Sequence, residues 1–376
     1  MGGEPVGVSR GKGKCASAIG IAVALALVLS AAGSGVAVAG PNDEPCIRVA
    51  MVYEGDASLP GFEGGLKTGE RYLQKKLPCA EVEAVDDIPE GPGSEQTFAR
   101  LADEGFDLIF AQSFGYGDQV LAAAADYPDV KFEHLLGFQQ ADNLNTYDYA
   151  RFEAYYLAGV LAAREVPSGK YGMIAPFAIP IIVWDINAFT LGARSVNPEA
   201  TVQVVFTNDF DDPTADQQAS EALIDEGAEL IVQQTGSPAA AQVALDEDLP
   251  WMGHSDPKVQ QFGPETFLAA PYAKWGPYFV ARAEAVMDDS WSAEGYFGST
   301  ADGLVKIFIS KKNVPADVRA EIKAKQKEIA DGSFVVFGGP INRQDGTVVV
   351  AAGETADLEE MSTLFVEGVI GELPAE

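Results

Sequence analysis

Two kinds of apolar pattern alternate along the chain. In SEQTFARLADEG (94–105) and DQQASEALIDEG (216–227) apolar residues recur at helical spacing, and each stretch ends on a glycine suited to the left-handed position just past a helix. Each then turns into a short run apolar on both faces, FDLIFAQS (106–113) or AELIVQQT (228–235), which predicts a buried strand of a parallel sheet. The two passages are one text written twice: LADEGFDLIFAQS (101–113) and LIDEGAELIVQQT (223–235) share Leu, Asp, Glu, Gly, Leu, Ile and Gln in register. Their surroundings repeat as well. IRVAMVY (47–53) as strand, GGLKTGERYLQKKL (64–77) as helix and AEVEAV (80–85) as strand precede the first copy. GKYGMIAPF (169–177), INAFTLGARSVN (186–197) and TVQVVFTND (201–209) play the same parts before the second. Both halves are βαβαβ units, which predicts two doubly wound, Rossmann-like α/β lobes with right-handed crossovers.

Open α/β sheets bind ligands outside the carboxyl ends of their strands. Two such lobes facing one another make a cleft, and the loops to watch are 54–62, 112–118, 176–184, 207–213, 233–238 and 253–258.

The amino-terminal residues break this pattern. Arg10, Lys12 and Lys14 precede the apolar run AIGIAVALALVLSAA (18–32), and Ala37-Val38-Ala39 follows as a small-x-small cleavage site. This predicts a secretory signal peptide over 1–39, cleaved near Ala39; the run is short of the roughly 20 residues of a membrane span. No cysteine stands where a lipid anchor would need one, so an exported, periplasmic chain beginning near Gly40 is expected. The 376 residues, 47% hydrophobic, suit two domains. The net charge of −31, more negative still once 1–39 is removed, disfavours nucleic acid as a partner. Of three cysteines, Cys15 leaves with the signal. Cys46 and Cys79 each open a candidate strand, which predicts a disulfide contributing about 3–4 kcal/mol in the chain-entropy model. With two histidines and no Cys/His cluster, no phosphate loop and no GxSxG, neither a metal nor another cofactor is expected.

YPDVKFEHLLGF (127–138), ARFEAYYLAGVLAA (150–163), INAFTLGARSVNPEATVQVVF (186–206), KWGPYF (274–279) and DGSFVVFGGPINRQDGTVVV (331–350) follow in order. Together they resemble the basic membrane protein family of solute-binding proteins of ABC importers, which includes purine nucleoside receptors. The resemblance covers 46–350. It implies the type I periplasmic-binding-protein fold with three interlobe crossovers, near 165, 273 and 302. Lobe 1 is then 40–164 plus 274–301, and lobe 2 is 165–273 plus 302–376. The terminal segment, with KEIADGSFVVFGGP read as helix then strand, finishes lobe 2. The resemblance further implies a monomer that captures a small nucleoside-like ligand by hinge closure and delivers it to an ABC permease in the inner membrane, without catalysis. A sensor subunit of the same fold, or an enzyme acting in the cleft, are the rival classes. For the enzyme, neither His134 nor His254 has a readable nucleophile partner.

In nucleoside-binding members aromatic rings from both lobes sandwich the base. Phe62 and Phe210 match those rings; Phe210 sits among Asn208, Asp209, Asp211 and Asp212, a poor core context, whereas Phe62 is equally readable as core. Phe114 and Trp184 are further ring candidates at strand ends, with lobe–lobe packing the alternative for Trp184. Asp118, Gly236, Ser237, Asp256 and Lys274 match positions lining the family's cleft. Three departures stand out. Asp56 lies six residues before Phe62 rather than shortly before it, Glu63 replaces an amide or small residue, and Gly236 stands where related sequences often carry Asp.

Overall fold

The structure is a computed structural model that describes residues 44–374. The expected signal peptide and cleavage site lie outside the described residues. Among the described residues no helix is long and apolar enough to cross a membrane.

The first half runs β1 (Ile47–Val52), α1 (Phe62–Lys76), β2 (Ala80–Val85), α2 (Pro92–Asp103), β3 (Leu108–Ala111), α3 (Gly117–Asp126), β4 (Lys131–Leu135) and β5 (Leu144–Tyr149). After α4 (Arg151–Glu165) the second half runs β6 (Lys170–Ala175), α5 (Pro180–Val196), β7 (Thr201–Phe206), α6 (Pro213–Asp225), β8 (Ile231–Gln233), α7 (Ala239–Asp246), β9 (Trp251–Met252) and β10 (Phe267–Ala273). The chain continues through α8 (Gly276–Met287), β11 (Tyr296–Gly298), β12 (Val305–Ile309), α9 (Ala316–Ala330), β13 (Ile341–Asn342), β14 (Val348–Val350), α10 (Leu358–Ser362) and β15 (Val369–Ile370).

The strands form two large sheets. One has the order β11-β5-β4-β3-β1-β2 and is parallel throughout; the other is β12-β10-β9-β8-β6-β7-β15, parallel except for β12 against β10. The central order, second strand beside first beside third, is the same in both, so the textual repeat is a structural one. The glycines ending the two repeated helices, Gly105 and Gly227, have φ of 83° and 97°, the left-handed region their role requires. The chain passes between sheets three times, from β5 to β6, from β10 to β11 and from β11 to β12.

Three expectations are corrected. Drawing lobe 1 to residue 164 puts α4 with it, whereas α4 packs on α5, α9, β10 and β12. It is apolar on most of its surface and buries Ala154 through Ala163 against those elements, so the first crossing falls between Tyr149 and Arg151. The segment 176–184 is not all loop: α5 begins at Pro180, a residue pre-set for the first helical turn, and buries Ile181–Trp184. The run after α9 forms turns rather than a strand. Val336 and Phe337 are core filling there, with Phe337 4.8 Å from Phe152.

Cys46 and Cys79 are joined, with Cα atoms 5.4 Å apart. Their strands β1 and β2 are parallel neighbours in the register Ile47–Ala80, which brings the two preceding residues to one sheet edge. In lobe 1 a buried carboxylate fastens α8 to the sheet. Glu133 on β4 accepts from Tyr278 (2.6 Å), Asn145 (2.9 Å), Trp291 (2.8 Å) and Arg282 (2.5 Å).

Candidate ligand-binding cleft

Segments leaving the carboxyl ends of both sheets line one partly open cavity. Lobe 1 contributes Glu54 after β1, Phe62 and Glu63 at the start of α1, Ser113 and Phe114 after β3, and Leu136 after β4. Lobe 2 contributes Pro176, Ile179, Ile181 and Ile182 around the start of α5, Phe210 and Asp211 after β7, Gln234 and Gly236 after β8, and His254 after β9. Arg151, first residue of α4, completes the lining. The mix of apolar wall with a few convergent polar groups is that of a small-molecule site.

Of the nine ligand candidates from sequence, Phe62, Phe114, Phe210 and Gly236 line this cavity. Phe210 is held edge-on by Phe177 at 4.9 Å, and Phe114 is flanked by Phe138 at 6.3 Å. The other five point elsewhere. Trp184 is inside α5, donates to the Leu358 carbonyl at 2.7 Å and lies edge-on to Phe152 at 6.3 Å and to Phe297 of β11, in the other sheet, at 6.4 Å, a contact of the lobe–lobe kind. Asp118 lies exposed in the first turn of α3, accepting from Gln139 at 3.3 Å. Ser237 turns away to donate to buried Asp216 at 2.6 Å, part of a knot in which Thr235 (2.7 Å) also donates to that carboxylate. Asp256 caps the turn at Lys258 and, with exposed Lys274, borders a second recess between the lobes. Asp56 is spent on its own turn, accepting from the Ser58 amide at 2.8 Å.

Sequence reasoning missed the polar half of the cavity: Glu54, Asp211, Gln234 and Arg151. Gln234 was legible as the Gln repeated in register with Gln112, and Asp211 as one of the acids around Phe210. Nothing local marks Arg151. A side chain at Gly236 would collide with Asp211 Oδ1, so a carboxylate stands over position 236 although the residue there is glycine.

Burial and the neighbouring Asp211 push the Glu63 carboxyl up to about 8, and burial with Asp211 and Glu90 pushes Glu54 up to about 7. Burial raises Asp211 too. Arg151 pairs with Asp185 on α5, Nε at 2.6 Å and Nη2 at 2.5 Å from the same oxygen. Burial pushes the Asp185 carboxyl up to about 7 against the opposing pull of Arg151. Burial and Arg151 push His254 down to about 3, so its ring is neutral; Nε2 donates to the Thr235 carbonyl (3.1 Å) and Nδ1 accepts from Ser255 (2.9 Å).

A pH dependence follows. Raised carboxyls favour the folded state at low pH, and the advantage is lost as pH rises through about 7 to 8. The histidine effects, of opposite sign, are confined below the ordinary histidine range. Between about pH 6.5 and 8.5 the melting temperature of ligand-free protein is therefore expected to fall, and Glu63→Gln is expected to flatten the fall. A melting temperature constant or rising over that window contradicts the assignment.

The profile of the family described as ABC transporter substrate-binding protein, PnrA-like, matches residues 46–336. The chain belongs to this family. The substrate-binding protein is 38% identical over 334 residues to a purine-binding protein of Brucella abortus, covering 88% of this chain and 95% of that one. It is 32% identical over 338 residues to a putative ABC transporter glucose-binding protein of Haloferax volcanii, covering 89% and 83%. Among solved structures, an ABC transporter solute-binding protein of Conexibacter woesei superposes with a TM-score of 0.65 at 19% identity, covering 77% of this chain and 98% of that one, which shows the shared fold.

Proposed function

We propose that this substrate-binding protein captures a purine-type solute, base or nucleoside, between its lobes in the periplasm and delivers it as a monomer to an ABC permease, by hinge closure and without catalysis. The observation that carries the reading is the meeting of Phe62 and Phe114 from one lobe with Phe210 from the other around a single cavity. Flat rings bind by stacking on aromatic faces, and acids and amides nearby fix orientation. Of the hydroxyl, imidazole and guanidinium groups lining the cleft, Ser113 donates to Glu90, His254 to the Thr235 carbonyl and Arg151 to Asp185, rather than forming a nucleophile and base, which supports binding over chemistry.

The test is a thermal-shift panel on ligand-stripped protein with adenosine, guanosine, inosine, uridine, the free bases and glucose, repeated with Phe210→Ala. A ligand at about one hundred times its Kd stabilises by roughly 2.7 kcal/mol. That is a rise of several degrees at about 2–4 °C per kcal/mol. Phe210→Ala is expected to weaken binding by about 1–3 kcal/mol. A shift with glucose alone would move the ligand to the sugars, as the Haloferax relative's description suggests. A purine shift unchanged in Phe210→Ala would remove the stacking role.

A further inference from the structure

The rim of the cavity is rich in carboxyl groups. Glu54 and Glu63 come from lobe 1 and Asp211 from lobe 2. A side-chain carbon on Gly55 would lie 3.2 Å from Asp211 Oδ2 and 3.8 Å from Glu63 Oε1, so carboxylates of opposite lobes converge on one point. Among the described residues no ion pair engages any of the three.

Gln234 adds an independent observation. It is 2% exposed and lines the same cavity; its Nε2 is 3.1 Å from the Met173 sulfur, and its Oε1 has no hydrogen-bond partner. Lobe 1 contains the same device in closed form. Gln112 Nε2 is 3.2 Å from the Met51 sulfur, across the same 61-residue separation, but its Oε1 accepts from the Tyr147 hydroxyl at 2.9 Å. The duplicated Gln–Met pair thus has its carbonyl satisfied internally in one lobe and left bare at the cavity in the other. Buried polar atoms are nearly always paired, and a bare one beside a cavity points to a partner that arrives with the ligand. The cation lining the cavity, Arg151, is already held by Asp185.

We propose that this rim selects the solute by its N–H donors: the ligand is a flat, amino-substituted nitrogen heterocycle, neutral or cationic, whose amino edge faces Glu63, Asp211 and Gln234. The inference rests on the purine reading of the cleft and names the kind of purine. An amino group draws these raised carboxyls to their ionised form and makes charge-assisted hydrogen bonds with them, whereas a ring carbonyl or an anionic ring turned to the same edge must leave them protonated.

Calorimetric titration of the ligand-stripped full chain with 2,6-diaminopurine, adenine, hypoxanthine and urate tests it, with adenosine and inosine as the matching nucleoside pair. Diaminopurine and adenine are expected to bind at least about tenfold more tightly than hypoxanthine, adenosine likewise over inosine, and urate is expected not to bind. Asp211→Asn and Glu63→Gln, each checked for an unchanged fold by melting curve, are expected to bring the amino-to-oxo ratio towards one while Phe210-dependent affinity persists. Glu54→Gln serves as the second variant should either fail to fold. Oxo and amino purines bound equally, urate bound like adenine, or a ratio unmoved in the variants would overturn this inference and leave the purine reading standing. Binding by none of the purines or nucleosides removes both.

Discussion

Arg151→Leu is expected to cost about 3–5 kcal/mol of stability, because it strands a buried carboxylate. Asp185 is 0% exposed and Arg151 is its ion-pair partner. The pair ties the first residue of α4 to the middle of α5, so it joins the crossover helix to the helix at the mouth of lobe 2. Arg151 also lies over the ring of Tyr155 at 5.5 Å, which fixes its direction. A fall in melting temperature on the order of 10 °C is expected at about 2–4 °C per kcal/mol. Replacing both partners with apolar residues is expected to recover much of the loss, since a buried ion pair is worth far less against an apolar pair than against one orphaned charge. A double-mutant cycle checks this; single variants that each lose under about 1 kcal/mol would show that the pair is hydrated and not structural.

Gly65→Ala is expected to act in the opposite way, on affinity and not on folding. Gly65 is in α1 of lobe 1, and a side-chain carbon there would collide with the Ser255 carbonyl of lobe 2. The neighbouring Gly64 position faces Asp256 Oδ2 at 3.2 Å, so the loop after β9 rests against the first turns of α1. On the proposed hinge closure, alanine meets no such obstacle in the open molecule, where it improves helix propensity by up to about 1 kcal/mol, and in the closed one it holds the lobes apart. Ligand-free melting temperature is therefore expected to be equal or higher, while affinity for whichever solute shifts the wild-type protein falls by about tenfold or more, roughly 1.4 kcal/mol. Calorimetry and melting on the same preparation read both numbers. A variant with lowered ligand-free stability and unchanged affinity would mean that this contact belongs to the resting fold and that closure does not use it.

Much of the architecture was legible in the chain because it is written in local patterns. Helical spacing ending in Gly105 and Gly227, runs apolar on both faces, and the recurrence of one passage specify parallel strands with crossover helices, and twofold use of one unit makes the central order alike in the two sheets. The loops that build the cleft were legible for the same reason, since they must leave the carboxyl ends of those strands. Phe62, Phe114, Phe210 and Gly236 were found there. Cys46 and Cys79 were legible as a pair because parallel pairing of β1 with β2 puts both at one edge.

Which side chains within those loops face the cavity was decided by tertiary structure. Asp118, Ser237 and Asp256 are as polar and as near strand ends as Asp211, but each finds its partner in its own lobe or turn: Gln139, Asp216, and the amide of Lys258. Trp184 left the site when α5 began at Pro180 and carried it towards α10, where Leu358 accepts its N–H. Arg151 entered the site because α4 packs on lobe 2, a choice made by a helix apolar almost all round and thus without a face that its sequence alone could orient. Gln112 and Gln234 are the plainest case. The repeat makes them equals in sequence, and only the Tyr147 hydroxyl, brought from β5 by the fold, closes one carbonyl while the other goes unpaired beside the cleft. Periodicity determines which face of an element is buried; which polar atom goes unpaired depends on neighbours that are distant in the chain.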